Sequence, residues 1–184
     1  KKHSLRVGPT IVPPKWAFKP WRWRDNHTNR QIYYDGTTVK APFNSEIVED
    51  VLMMEAYGIP CGVYWVDRPW ATGPIGYSDF DWDYERLPEA EAMIKWLHDK
   101  DMKFVLWIAP WVRGKMVDVA IEKGYAIKNQ KAYGDSRPLI DFTNPHARKW
   151  WQQEGLRKVL EDGVDGFKLD RSEEIVPEDR EHKV

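Results

Sequence analysis

Lys168 and Asp170 stand two residues apart at the end of the apolar run Val164-Asp165-Gly166-Phe167-Lys168-Leu169. Side chains alternate along a β-strand, so in a strand this pair points to one side and Leu169 to the other. An ammonium beside a carboxylate favours the ionised form and keeps it available as a nucleophile at neutral pH. A structural ion pair has the same signature. Asp67 closes the run Cys61-Gly62-Val63-Tyr64-Trp65-Val66 in the same manner, and Arg68 follows it as a candidate salt-bridge partner. Trp107 lies near the end of a third run, Lys103 to Ala109, sharing a face with Val105 and Ala109. There an indole either fills the core or floors a sugar pocket.

Elements of alternating type must deliver these residues. Asn44 or Ser45 caps a helix whose Ile47, Val48, Val51, Leu52 and Met54 recur at helical spacing, with Gly58 and Pro60 ending it. A helix begins at Pro88 and runs through Met93, Ile94, Trp96 and Leu97 to Lys100, acidic first and basic last. Lys115 to Lys123 is a shorter helix, and Gly124 to Ile127 and Pro138 to Phe142 read as extended. Thr143-Asn144-Pro145 starts a helix carrying Trp150, Trp151, Leu156, Val159 and Leu160, and Asp162-Gly163 stops it. Before all this, Val12-Pro13-Pro14 is an extended lead-in and Lys15 to Phe18 a short strand. Trp21 to His27 reads as an aromatic and polar loop, and Tyr33-Tyr34-Asp35-Gly36 as a turn.

Composition narrows the chemistry. Lysine plus arginine (28) nearly balance aspartate plus glutamate (29), so a nucleic-acid or anionic-membrane partner is not expected and a neutral or polar small substrate is. Eleven tryptophans suit sugar faces as well as cores. Cys61, the single cysteine, is expected to be buried and inert. His27 has no partner at ligand spacing, and neither a metal nor a cofactor is indicated. No run of about 18 apolar residues spans a bilayer, so the chain is expected to be soluble, its compartment open.

Strand and helix alternate three or four times across 1–184, read as one domain, which implies right-handed crossovers and a parallel sheet. A doubly wound sheet predicts a glycine-rich phosphate loop, and none occurs. A barrel predicts functional groups at strand C-termini, where Asp67, Trp107 and Asp170 fall. The expected fold class is α/β, a (β/α)8 TIM barrel. A full barrel needs about 250 residues, so this chain supplies roughly its first four strands.

Six segments in order resemble glycoside hydrolase family 31. They are Pro14 to Phe18; Gly58-Ile59-Pro60 leading into Val63 to Asp67; Phe80 to Asp83 before Leu87-Pro88; and Leu106 to Pro110. Asp141 to Pro145 with Ala147 to Trp151, and Gly163 to Asp170, complete the set. The resemblance implies a retaining α-glycoside hydrolase that removes terminal α-linked sugars, galactose-type, N-acetylgalactosamine, glucose or xylose, through a covalent glycosyl-aspartate. On it, Asp170 is the nucleophile, and Asp67, Arg68, Trp107, Lys168 and Asp141 are substrate-binding residues. The oligosaccharide or glycoside substrate is the partner, together with the remaining barrel polypeptide.

Three departures from the family pattern bear on specificity. Ala132 to Arg137 lacks the tryptophan-glycine signal of many glucose-specific members; Arg68 replaces a small or apolar residue and reads a sugar substituent or pairs with a carboxylate; and Arg171-Ser172-Glu173 follows the nucleophile. The first two lean towards a galactose-type or N-acetylated sugar. Retaining hydrolysis needs a second carboxyl group roughly 5–5.5 Å from the first. Glu173 and Glu174 follow Asp170 too closely to reach the far face of the bond, so the acid/base is expected outside this chain and the chain alone is expected to lack turnover. The competing readings are an α-amylase-like enzyme, against which Lys168 and the earlier segments argue, and a non-catalytic carbohydrate-binding barrel.

Overall fold

A computed structural model of the chain describes residues 21–22, 32–34, 37–39, 45–127 and 138–171. Its centre is a parallel sheet of four strands in the order β1 (Trp21–Arg22), β4 (Val63–Val66), β5 (Lys103–Ile108) and β8 (Gly166–Leu169). All three pairings are parallel, with Trp65 opposite Val105 and Trp107 opposite Lys168. Parallel neighbours need crossovers, and helices supply them between β4 and β5 and between β5 and β8. Two antiparallel pairs flank the sheet: β2 (Ile32–Tyr34) with β3 (Thr37–Val39), and β6 (Ala126–Ile127) with β7 (Leu139–Ile140).

Trp21-Arg22 forms a strand where a loop is expected. The two residues pair with Trp65 and Val66, a long-range contact that no local periodicity announces. Tyr33 and Tyr34, expected in a turn, lie in β2 and pair with Thr38 and Thr37 of β3. The strand expected at 15–18, and Pro13, His27, Asp35, Gly36, Ala132 to Arg137, Glu173 and Glu174, lie outside the described residues.

The helices form for legible reasons. In α1 (Ser45–Ala56) Ile47, Val48 and Val51 are buried, and Gly58, at φ 65, reverses the chain while Ile59 N–H reaches back to Met54 O. Ala90, Met93, Ile94 and Leu97 make the buried stripe of α2 (Ala90–Asp99). That helix starts two residues after Pro88, because Glu89 takes a left-handed conformation (φ 51). α3 spans Lys115–Glu122. Asn144 caps α4 (Pro145–Trp150) by accepting the His146 N–H at 2.9 Å. A π-helical segment, Trp151–Leu156, then joins α4 to α5 (Arg157–Glu161). Its wider turn sets Gly155 against Phe80, where an added Cβ would lie 3.0 Å from the ring.

Alternation divides the sheet. Tyr64, Val66, Phe104 and Leu106 are buried in the hydrophobic core with Met93, Ile94 and Leu97 of α2. Trp65, Val105, Trp107 and Lys168 occupy the opposite positions. At the N-terminal rim Asp165 accepts from Phe104 N–H (2.9 Å) and bonds His98 Nε2 (2.7 Å) while pairing with Lys103 (2.9 Å), which ties α2, β5 and β8 together. Cys61 is buried, its Sγ donating to Val63 O. Among the described residues β8 lies at one edge of the sheet, and its Leu169 is 59% exposed. Among the described residues no helix is long and apolar enough to cross a membrane.

Candidate active site

Asp67, Trp107 and Asp170 meet at the C-terminal ends of β4, β5 and β8, the rim where barrels of this architecture place their chemistry. Asp170 emerges from β8 with its N–H donating to Ile108 O at 3.0 Å. Its Oδ2 accepts the Trp107 indole N–H at 3.0 Å and pairs with the Lys168 ammonium. Its Oδ1 accepts the Arg171 N–H at 2.8 Å. Arg171 has φ 60, a left-handed conformation unusual for a side-chain-bearing residue, next to the acid it helps to hold.

Partial burial, the largest single influence on Asp170, pushes its carboxyl pKa up. The Lys168, Trp107 and Arg171 donors together outweigh it and hold the pKa down at about 2. The side chain keeps 35% of its exposure, so the carboxylate is reachable from solvent. The folded pKa lies below the ordinary aspartate value of about 3.9, so the stabilisation it brings is present above pH ~4 and is lost as pH falls through about 2.

Lys168 Nζ lies 5.1 Å from the ring centre of Trp65 and 5.9 Å from that of Trp107. The Arg68 guanidinium stands 5.5 Å over Trp107. Asp67 is 3% exposed and its Oδ1 accepts the Arg68 backbone N–H at 2.7 Å. Of the expected site residues, then, Trp107 links Asp170, Lys168 and Arg68 directly, and Asp67 adjoins them through Arg68. Asp141 is different. It follows β7, and its Oδ1 accepts both Thr143 N–H (3.0 Å) and Thr143 Oγ1–H (2.6 Å), shaping the turn before α4.

Sequence reading overlooked the aromatic support beneath this cluster. Trp70 is fully buried and donates its indole N–H to Trp107 O at 2.8 Å; Tyr77 meets Trp107 edge-on with ring centres 4.9 Å apart. Trp111 donates to Arg171 O at 3.2 Å. The clue was the aromatic and glycine-rich loop after Asp67, whose long-range partners no local pattern names. Among the described residues no group of three His, Cys, Asp or Glu side chains is arranged to hold a metal.

Residues 10–184 match the family model described as the glycosyl hydrolases family 31 TIM-barrel domain. The chain is 29% identical over 187 residues to the α-xylosidase XylQ of Lactiplantibacillus pentosus, covering 97% of this chain and 23% of that protein. It is 26% identical over 184 residues to an α-glucosidase of Saccharolobus solfataricus, covering 94% of this chain and 24% of the relative. Among solved structures it is similar to a family 31 dextranase of Flavobacterium johnsoniae in complex with glucose, with TM-score 0.66, 25% identity, and coverage of 87% of this chain and 19% of the other. The chain thus spans about a quarter or less of the length of these relatives. Its parallel strands, intervening helices and rim of acids fit that match, and the chain belongs to glycoside hydrolase family 31, as part of its TIM-barrel domain.

Proposed function

We propose that this chain carries the nucleophile half of a retaining α-glycoside hydrolase, with residues 1–184 forming the first strands of a (β/α)8 catalytic domain. The observation that carries the reading is Asp170, an accessible carboxylate at a strand C-terminus with a pKa of about 2. A group that acidic is ionised at neutral pH and is also a good leaving group when water later releases the sugar. Asp170 attacks the anomeric carbon, the bond to the aglycone oxygen breaks, and a second carboxyl group protonates that oxygen. Water, deprotonated by the same second group, then displaces the aspartate with retention.

The second carboxyl group comes from polypeptide outside this chain, so the chain alone does not turn over. The same polypeptide supplies the neighbour of β8, which lies at one edge of the sheet among the described residues, beside the exposed Leu169. Asp67, buried beside the cluster, suits holding sugar hydroxyls. Trp107 and Arg68 offer a stacked surface, and Lys168 neutralises the nucleophile's charge and contacts the sugar. Asp141, its Oδ1 taken by Thr143, supports a turn instead of a sugar contact.

The relatives named α-xylosidase and α-glucosidase support a gluco- or xylo-configured terminal sugar. Arg68 over Trp107 is the feature that supports a substituted or galactose-type one. Activated fluorosugars of xylo, gluco, galacto and N-acetylgalactosamine configuration, applied to the complete polypeptide and followed by peptide mapping, test both parts. The expected label is on Asp170, and the configuration that labels identifies the sugar. Label found only on Asp67 or Glu173 overturns the assignment.

Lys168→Met removes the ammonium while keeping the bulk. The Asp170 pKa is then expected to climb from about 2 back towards the ordinary carboxylate range. In a pH–rate profile the acid limb of kcat/KM moves upward by about one unit, with the alkaline limb unmoved. An unmoved acid limb would deny that Lys168 tunes the nucleophile.

A further inference from the structure

Tyr77-Ser78-Asp79-Phe80, in the loop between β4 and α2, grips three other parts of the fold in consecutive residues. Tyr77 buttresses Trp107 edge-on. Ser78 Oγ donates to Arg113 O at 2.9 Å and accepts the Arg113 N–H at 3.1 Å. Phe80, at φ 55, meets Trp151 of the π segment edge-on with ring centres 5.1 Å apart. Between them Asp79 is 7% exposed, and its carboxylate lies against the amino end of α3, where a Cβ on Gly114 would overlap it and the Lys115 and Met116 N–H groups lower its pKa.

That helix has no cap of its own. The residue before it is Gly114, at φ 66, and the Asp79 carboxylate from the preceding rim loop stands beside it. The carboxylate is enclosed by glycines: a Cβ built on Gly73 or on Gly114 would overlap it. Oδ1 is buried with no hydrogen-bond partner among the described residues, and the charges facing the carboxylate are the Lys115 and Lys158 ammonium groups. Burial, the largest influence, raises the Asp79 pKa against those cations and N–H groups. A plain cap on a surface helix has no need of so enclosed an acid. A device that must hold two rim loops at a fixed spacing does.

We propose that Asp79 is a positioning residue for the nucleophile: by clamping the loop after β4 to the start of α3, it keeps Tyr77 pressed on Trp107 and so keeps the Trp107 indole donating to Asp170. The chain of contacts runs Asp79 and Ser78 to the 113–116 segment, Tyr77 to Trp107, and Trp107 to Asp170. The proposal rests on the reading of Asp170 as nucleophile for its kinetic consequence, but not for its structural one.

The test uses Asp79→Ala and Ser78→Ala in the complete polypeptide labelled with 5-fluorotryptophan, the Trp107 resonance being assigned by its loss in Trp107→Phe. Both variants are expected to shift that resonance. They are also expected to lower kcat by between about tenfold and a hundredfold, with KM changed less. The acid limb of kcat/KM should rise, because Asp170 keeps Lys168 and the Arg171 N–H but loses the indole donor. In a Trp107→Phe background the acid limb no longer responds to either variant. Should Asp79→Ala fail to fold, Ser78→Ala carries the test, since it breaks the clamp at one point and leaves the Asp79 carboxylate in place. A lowered melting temperature with the Trp107 resonance and acid limb unchanged reduces Asp79 to a helix cap and overturns the proposal. Asp170→Asn, run alongside, separates the two readings: wild-type turnover there defeats the nucleophile assignment, while the Trp107 resonance still decides the clamp.

Discussion

Asp170→Asn in the complete polypeptide is expected to lower kcat/KM by a factor on the order of a thousand or more, about 4 kcal/mol of transition-state stabilisation. The amide has nearly the size of the carboxylate and keeps one acceptor oxygen, enough for either the Trp107 indole N–H or the Arg171 N–H, so the pocket and the fold persist. On the proposed mechanism, what disappears is the electron pair that attacks the anomeric carbon, together with the negative charge facing an oxocarbenium-like transition state. Lys168 then adds to the loss. Its ammonium, no longer balanced, sits among Trp65, Trp107 and the amide and opposes positive charge developing on the sugar. Steady-state kinetics with an aryl glycoside, beside a melting curve, make the measurement. Turnover near the wild-type rate with the fold intact removes Asp170 from the reaction.

The largest effect on stability is expected at Trp70. Its side chain is fully buried, meets Phe80 and Trp82 edge-on at 5.9 and 5.6 Å, and donates to Trp107 O at 2.8 Å. Its backbone joins in, with N–H donating to Gly76 O and C=O accepting from Asp83 N–H, so it pins both ends of the rim loop. Trp70→Ala should cost about 3–5 kcal/mol, the usual range for emptying a large aromatic site. Domains hold only about 5–15 kcal/mol in total, so this is a large fraction. Trp70→Phe keeps much of the packing and loses the indole donor, for about 1–3 kcal/mol. Chemical denaturation of the complete polypeptide reads both, and equal midpoints for Trp70→Ala and wild type would show that the rim loop does not depend on this ring.

Strands ending in acids were legible in the sequence because a buried parallel strand writes itself as an unbroken apolar run, and Asp67 and Asp170 stand where two such runs stop. The shared side of Lys168 and Asp170 followed from alternation alone. Contacts between distant residues were another matter. Trp70 reaches Trp107 across 37 residues, Trp107 reaches Asp170 across 63, and Trp82 reaches Asp162 across 80. A tryptophan in a loop looks the same in sequence whether it waits for a sugar or hydrogen-bonds a strand end, and here several do the second. Trp21-Arg22 was missed as a strand because two residues give no period to read, and the left-handed Glu89 delayed α2 past the proline that normally opens a helix.

The π-helical segment at Trp151–Leu156 leaves a mark on how this fold can vary. Such a segment is an α-helix carrying one surplus residue, so excising a single residue there would restore regular winding and rotate every position beyond it by about a hundred degrees. Gly155 would leave the Phe80 ring, and a side chain unable to fit that gap would take its place. Length in one helix and ring size in a distant loop are therefore tied, so a one-residue deletion in the former is tolerated only where the latter has already shrunk.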